Sequence, residues 1–236
     1  MDNNSIIAKP SSTKSTIVDN FVAPKCLEKI SILYQDESML LINKPSGLLS
    51  LSGKNPINSD SVHFRLVQEY PSATMVHRLD FGTSGIMVIA LNKQANSHLG
   101  KQFQMRIVQK TYVSVLHGHV CQDYGQISQP IAKDPSLFPK VKICSITGKE
   151  AITQYTVLER LDNPCSTRIR FHPQTGRTHQ LRIHSEHLTH PILGCDLYGT
   201  EESYQRANRL MLHAESVDFE HPTTGKKVQG FCPAPF

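Results

Sequence analysis

The residues best equipped for chemistry lie in one short stretch, His77-Arg78-Leu79-Asp80-Phe81-Gly82-Thr83-Ser84-Gly85. Asp80 stands between a basic pair and two glycines that let the backbone turn tightly. A carboxylate placed there can act as a nucleophile or as a proton acceptor. The spacing of Asp80 and Thr83 equally suits an Asx or Ser/Thr turn with no chemistry, and spacing alone favours that plainer account. Two other chemistries are excluded. Gly82-Thr83-Ser84-Gly85 is not a G-x-S-x-G nucleophile elbow, because its second glycine comes one residue early. It is not a phosphate-binding loop either, because no Gly-Lys-Ser/Thr follows.

A second polar cluster is Gly176-Arg177-Thr178-His179-Gln180-Leu181-Arg182-Ile183-His184. On a helix, His179, Arg182 and Ile183 share one face, while Arg177 and Gln180 lie elsewhere. One arginine could turn inward to a carboxylate while another reaches outward; by itself the cluster reads more simply as a solvated basic face. His184, His187 and His190 follow at intervals of three. That spacing is not H-E-x-x-H, and Pro191 ends the helix, so a zinc site is not expected.

The elements that must position these groups alternate in period. Ile30–Leu33 and Met39–Lys44 read as strands joined by a polar turn. Asp60 is expected to cap a helix reaching Tyr70, and Asn92 one that carries Ala95, Leu99 and Phe103 on one face. Between them, Gly85–Leu91 reads as a fully buried strand leading straight out of the Asp80 loop. A loop at the mouth of such a strand is held rigidly from below. Strands are also expected at Thr111–Leu116, Val141–Ile146, Ile152–Glu159 and Thr167–Phe171, a helix at Thr178–His187, and a hairpin from Leu210–Phe219 to Lys227–Phe231. The fold class is therefore α+β, with a large mixed but mainly antiparallel sheet flanked by helices and loops. Residues 1–25 are polar without a steady period and read as a flexible tail. Residues 26–236 read as one catalytic domain, with an insertion possible over 125–150.

The formal charge is +5 and the apolar share 39%, compatible with a real core and a polyanionic partner. The longest apolar run, Ile86–Leu91, is far too short to span a bilayer, and the N-terminus lacks a secretory signal pattern. A cytoplasmic protein with no membrane association is expected. The six cysteines form no C-x-x-C pair and are expected to be reduced, buried thiols.

Taken in order, the segments resemble the large-subunit-type pseudouridine synthases. The matching pieces are Asn43-Lys44-Pro45-Ser46-Gly47-Leu48, His77-Arg78-Leu79-Asp80 with Thr83-Ser84-Gly85, and Lys110-Thr111-Tyr112. They continue with Gly176–His184, His190-Pro191-Ile192-Leu193-Gly194, Leu212-His213-Ala214, and His221-Pro222 with Thr224-Gly225. One departure stands out. Cys195 occupies a position that is acidic in the family, and Asp196 follows one residue later.

The resemblance implies the pseudouridine synthase fold with a central RNA-binding cleft, and isomerisation of uridine to pseudouridine in structured RNA. The implied substrates are large-subunit rRNA and a tRNA anticodon stem-loop, and the implied reaction needs no cofactor; no metal is expected from the histidine spacing, and a monomer is the default expectation. It also implies that Asp80 is the essential aspartate, Arg182 the arginine that pairs with it, and Tyr112 the ring that stacks on the target base. Arg78 would fill the gap left by the flipped nucleotide, and Leu181 or Ile183 would supply an apolar wall. His77, Lys44, Lys110 and Arg177 are expected to contact RNA, with Lys101, Arg106, Lys140 and Lys142 as further candidates for phosphates. A catalytically silent RNA-binding protein would have no need of Asp80, Tyr112 and Arg182 together. A metal-dependent hydrolase would need the histidines of 179–190 to converge, which metal analysis would reveal.

Overall fold

The computed structural model describes residues 21–53 and 55–236. Most of the expected tail, residues 1–20, lies outside the described residues. The elements in chain order are β1 (Ser31–Gln35), β2 (Met39–Lys44), α1 (Val62–Leu66), β3 (Thr74–Met75), β4 (Ser84–Ala90), α2 (Lys93–Gln104) and β5 (Gln109–His117). They continue with β6 (Tyr124–Ser128), β7 (Ile131–Lys133), β8 (Val141–Ile143), β9 (Ile152–Asp162), β10 (Cys165–Pro173), α3 (Gln180–His187), α4 (Glu201–Gln205), β11 (Leu212–Glu220) and β12 (Lys227–Phe231). Ten strands form one sheet, ordered β1-β2-β4-β11-β5-β10-β9-β6, with β12 on β11 and β3 on β4. β7 and β8 form a separate hairpin inside the expected insertion.

All sheet pairings are antiparallel except that of β4 with β11, where His213 and Ala214 meet Ser84 and Gly85. This junction divides the core. On one side β2 and β4 pack against α1 and α2 through Met39, Ile42, Met87, Ile89 and Leu99. On the other, β5, β9 and β10 pack against α3 through Leu116, Ile169, Phe171, Leu181 and Ile183. Tyr112 touches both clusters and so stands at the seam. Gly85 makes the junction possible. Its φ is +113°, and a Cβ there would lie 2.2 Å from the Ala214 carbonyl oxygen.

Local chemistry explains most boundaries. All seven residues of β4 are buried, as its unbroken apolar run requires. Asn92 caps α2 by accepting from the Ala95 N–H at 2.8 Å. α1 is shorter than expected and is capped by Ser61, because the Asp60 carboxylate is held by Arg65 at 2.7 Å. α4 escaped the sequence reading, although Thr200 and Ser203 form a capping box with Glu201 and Glu202 in the first turn. Cys195 and Cys232 are buried as expected, whereas Cys121 and Cys165 lie exposed.

Candidate active site

The Asp80 loop is held by its backbone. The Gly47 N–H donates to the Phe81 carbonyl at 2.9 Å, and the Ser46 hydroxyl donates to the Gly82 carbonyl at 2.7 Å. Ser50 Oγ accepts from the Leu79 N–H at 3.1 Å and donates to the Leu79 carbonyl at 2.7 Å. Within the loop, the Thr83 N–H donates to the Asp80 carbonyl at 3.1 Å. The turn is made by backbone alone, without the Asx or Ser/Thr side-chain bond that the spacing suggested, and Asp80 lines the cleft.

Lys44 completes this clamp, which corrects its expected role in RNA contact. Its side chain is 0% exposed, and its ammonium donates to the carbonyls of Pro45 (2.9 Å), Leu48 (2.7 Å) and Phe81 (3.1 Å). No donor is left for a phosphate. Burial pulls its pKa down to about 7, against the opposing influence of Cys26 and Asp80.

Asp80 lies on the wall between two cavities. The first, about 480 Å³, is lined by His77, Arg78, Asp80, Lys110, Tyr112, Arg177, Leu181 and Arg182 among others. The second, about 910 Å³, is lined by Phe81, Leu197 and Arg209 among others and shares Asp80, His179 and Arg182 with the first. Seven expected site residues other than Asp80 therefore converge on one cleft, supplied by the β3–β4 loop, β5, the β10–α3 loop and α3. Burial raises the Tyr112 phenol well above its ordinary range, and the nearby Asp80 carboxylate adds to the effect. Burial also lowers Lys110. Arg78 is exposed at the rim. Arg177 donates through Nε to the Glu150 carbonyl at 2.9 Å, so its guanidinium is oriented while it still lines the cleft. Arg106 also lines the cleft but forms an ion pair with Glu150 at 2.9 Å.

Three further expectations change. Ile183 faces the core beneath α3 rather than the cleft, so the apolar wall comes from Leu181. His77 is a structural plug. Its Nε2 accepts from the Val88 N–H at 2.9 Å, and its ring stacks on Phe103 with centroids 4.5 Å apart. Burial, aided by the Lys110 cation, drives it down to about pH 3, so at neutral pH it carries no charge for RNA. Arg182 is not hydrogen-bonded to Asp80. Its Nε donates to Cys195 Sγ at 3.4 Å and its terminal nitrogen donates to the Asp196 carboxylate, with the Tyr198 ring 5.4 Å from the guanidinium carbon. Burial opposes its charge, but Cys195, Asp196 and more weakly Asp80 outweigh that and raise its pKa.

α3 begins at Gln180, later than expected, because His179 takes a left-handed conformation with φ +53°. Gln180 is buried and staples the preceding loop. Its Oε1 accepts from Thr175 Oγ1 (2.7 Å) and the Arg177 N–H (3.0 Å), while its Nε2 donates to Ile152 O (3.1 Å) and Thr153 Oγ1 (2.9 Å). His179 Nδ1 lies 2.9 Å from the Tyr198 hydroxyl. Burial lowers the His179 pKa against the pull of Asp80. His179, Asp196 and Tyr198 belong to the site but had no role assigned from sequence. The sequence signal for His179 was its place in the Gly176–His184 segment, and that for Asp196 its place beside the Cys195 departure. The histidines do not converge. His184 lies between Thr153 Oγ1 (2.9 Å) and the Gln129 carbonyl (3.1 Å), and His190 Nδ1 lies 2.9 Å from the His117 carbonyl. Among the described residues no cluster of three His, Cys, Asp or Glu forms a metal set.

A carboxylate, a guanidinium and an aromatic face in one cleft rimmed by cations suit chemistry on a single unit of a polyanion. Residues 38–187 match the family model described as RNA pseudouridylate synthase. The dual-specificity RNA pseudouridine synthase RluA of Yersinia pestis is 45% identical, over 87% of this chain and 99% of that protein. Its counterpart in Escherichia coli K12 is 44% identical, over 87% of this chain and 93% of that protein. Among solved structures, human RNA pseudouridylate synthase domain containing 1 superposes with a TM-score of 0.75 at 31% identity, over 90% of this chain and 86% of that one. The chain belongs to the RNA pseudouridylate synthase family.

Proposed function

We propose that this protein isomerises uridine to pseudouridine in structured RNA, with large-subunit rRNA and a tRNA anticodon stem-loop as substrates. The observation that carries this reading is the convergence of Asp80, Tyr112 and Arg182 on one cleft. The reaction breaks the N1–C1′ bond, turns the uracil and joins C5 to C1′. Atoms and electrons balance within the nucleoside, so the chemistry calls for no cofactor.

Asp80 is the essential carboxylate. Whether it attacks the base or C1′, or takes a sugar proton, it must be ionised in a site that limits water, and a nearby cation stabilises that form. Arg182 supplies the cation. A target base must leave its stack before chemistry, and the Tyr112 ring offers a replacement face worth about 1–3 kcal/mol. Arg78, exposed at the rim, fills the space left by the flipped nucleotide. Lys110 and Arg177 guide the strand past the cleft. Residues 26–236 act as the catalytic domain, as a monomer in the cytoplasm. No helix among the described residues is long and apolar enough to cross a membrane.

The test is to incubate the wild-type protein and Asp80→Ala with cellular RNA and to map pseudouridine. New pseudouridine with the wild type and none with the variant is expected. No gain with the wild type would sink the assignment.

A further inference from the structure

Asp196 sits one residue beyond the family's acidic position, and the structure shows what it holds. The Arg182 side chain is 5% exposed, with its terminal nitrogen on the Asp196 carboxylate and its Nε on Cys195 Sγ. The same guanidinium lines both cavities beside Asp80. The guanidinium is paired with Asp196, whose side chain is 61% exposed, while Asp80 acts on it only as a nearby charge. Buried guanidinium groups need fixed acceptors, and an acceptor on a rigid segment fixes their direction.

The segment carrying Asp196 is rigid. The Leu193 N–H donates to Val115 O and the Met211 N–H donates to Leu193 O, each at 3.0 Å. The Gly194 N–H donates to Ser203 O at 2.9 Å, and the Cys195 N–H to Ile192 O at 3.2 Å. Gly194 has φ +70°, and a Cβ there would meet the Arg209 carbonyl at 1.9 Å, so the chain passes where no side chain fits. Tyr198 closes the arrangement. Its ring lies against the guanidinium and its hydroxyl accepts from the Val141 N–H at 2.8 Å.

We propose that Asp196 is a positioning residue that aims Arg182 at Asp80, taking over with a one-residue shift the place that Cys195 leaves without a carboxylate. Asp196 contacts the guanidinium and is not part of the lining of the cleft that holds Asp80 and Tyr112. Cys195 supplies a soft acceptor at Nε that fits the space but brings no fixed charge of its own. The pairing of a thiol below and a displaced carboxylate at the edge keeps Arg182 oriented, while the share of its charge left for Asp80 is set by a partner that solvent partly screens. The proposal rests on the reading of Asp80 and Arg182 as catalytic partners.

Asp196→Ala should lower kcat for a uridine-containing stem-loop about tenfold, the effect of losing one charge-assisted contact of ordinary strength, and leave KM within about twofold. Cys195→Asp in the Asp196→Ala background places a carboxylate on the same guanidinium from the other side and should recover most of the lost kcat. Thermal midpoints of all three proteins should agree closely, and Asp196→Asn, which keeps the shape and an acceptor, should fall between wild type and Asp196→Ala. Unchanged kcat in Asp196→Ala, or a loss confined to KM, would overturn the proposal. So would a folded double variant that recovers nothing. An inactive wild type would instead overturn the underlying reading of the site, which keeps the two failures apart.

Discussion

Lys44 separates a structural cation from an RNA-binding one, and replacing it with methionine tests the distinction. Each lysine that neutralises a phosphate contributes about 0.7 (single strand) to 0.9 (duplex) to the slope of log affinity against log salt. Lys44 is fully buried and its ammonium is committed to three carbonyls, so its contribution should be nil. Catalysis should respond differently. The variant frees Phe81 O from one of its two donors, leaving only the Gly47 N–H, and loosens the residue next to Asp80. A displacement of about 1 Å in a reacting group costs about 100-fold in rate, or about 2.7 kcal/mol. Stability should change little at neutral pH, because two opposing effects are similar in size. Pro45 O and Leu48 O lose their donor, at about 1–3 kcal/mol each. Against that, a buried ammonium whose pKa has fallen from 10.5 to about 7 is removed, relieving on the order of 5 kcal/mol. Filter binding of a stem-loop across a salt series, with single-turnover pseudouridine formation on the same RNA, measures both quantities. Lys110→Met should lose about 0.7–0.9 of slope, and Lys44→Met none. A slope loss in Lys44→Met equal to that in Lys110→Met would refute the clamp.

The depressed Lys44 pKa also makes stability depend on pH. Its unfolded form binds more protons than its folded form between about pH 7 and 10.5, so the penalty is complete below that window and fades as pH rises through it. The stability of the wild type relative to Lys44→Met should therefore increase by about 2 kcal/mol between about pH 6.5 and about pH 8.5, read from urea midpoints; a constant difference would contradict the burial argument. Gly85→Ala should abolish soluble expression or destabilise by several kcal/mol, because its Cβ would meet Ala214 O at 2.2 Å; a folded, active variant would show that the β4–β11 junction is softer than drawn. Tyr112→Phe should retain most activity because the ring face is kept, whereas Tyr112→Ala should lose about 1–3 kcal/mol of transition-state stabilisation, measured as kcat/KM. Equal losses in the two variants would assign the role to the hydroxyl instead.

Much of this molecule is legible locally. β4 declares itself because a strand buried on both faces needs an unbroken apolar run, and α2 because its cap and its spaced apolar residues agree. The Asp80 loop is legible as punctuation between a basic pair and a buried strand. Its chemistry became legible through the order of motifs along the chain, since the spacing of Asp80 and Thr83 alone suited a plain turn. α4 was legible too, through Thr200 and Ser203, yet its short apolar content concealed it.

What sequence could not assign is where a charged side chain ends. Lys44 and Lys110 look alike as letters, and only packing shows one sealed beneath the Asp80 loop and the other lining the cleft. Leu181 and Ile183 are both apolar residues of one helix, and its rotation decides which of them meets the cleft. His179 was expected on the first face of α3, but a left-handed residue cannot continue a right-handed helix, so the helix starts after it. The partner of Arg182 depends on distances between segments far apart in the chain, and those place Asp196 on the guanidinium. The sequence by itself determined the buried strand β4, the Asn92 cap of α2 and the carboxylate loop, because those follow from neighbours along the chain. The tertiary structure decided which cation clamps, which faces the cleft and which carboxylate holds Arg182, because burial and charge pairing are properties of the packed molecule.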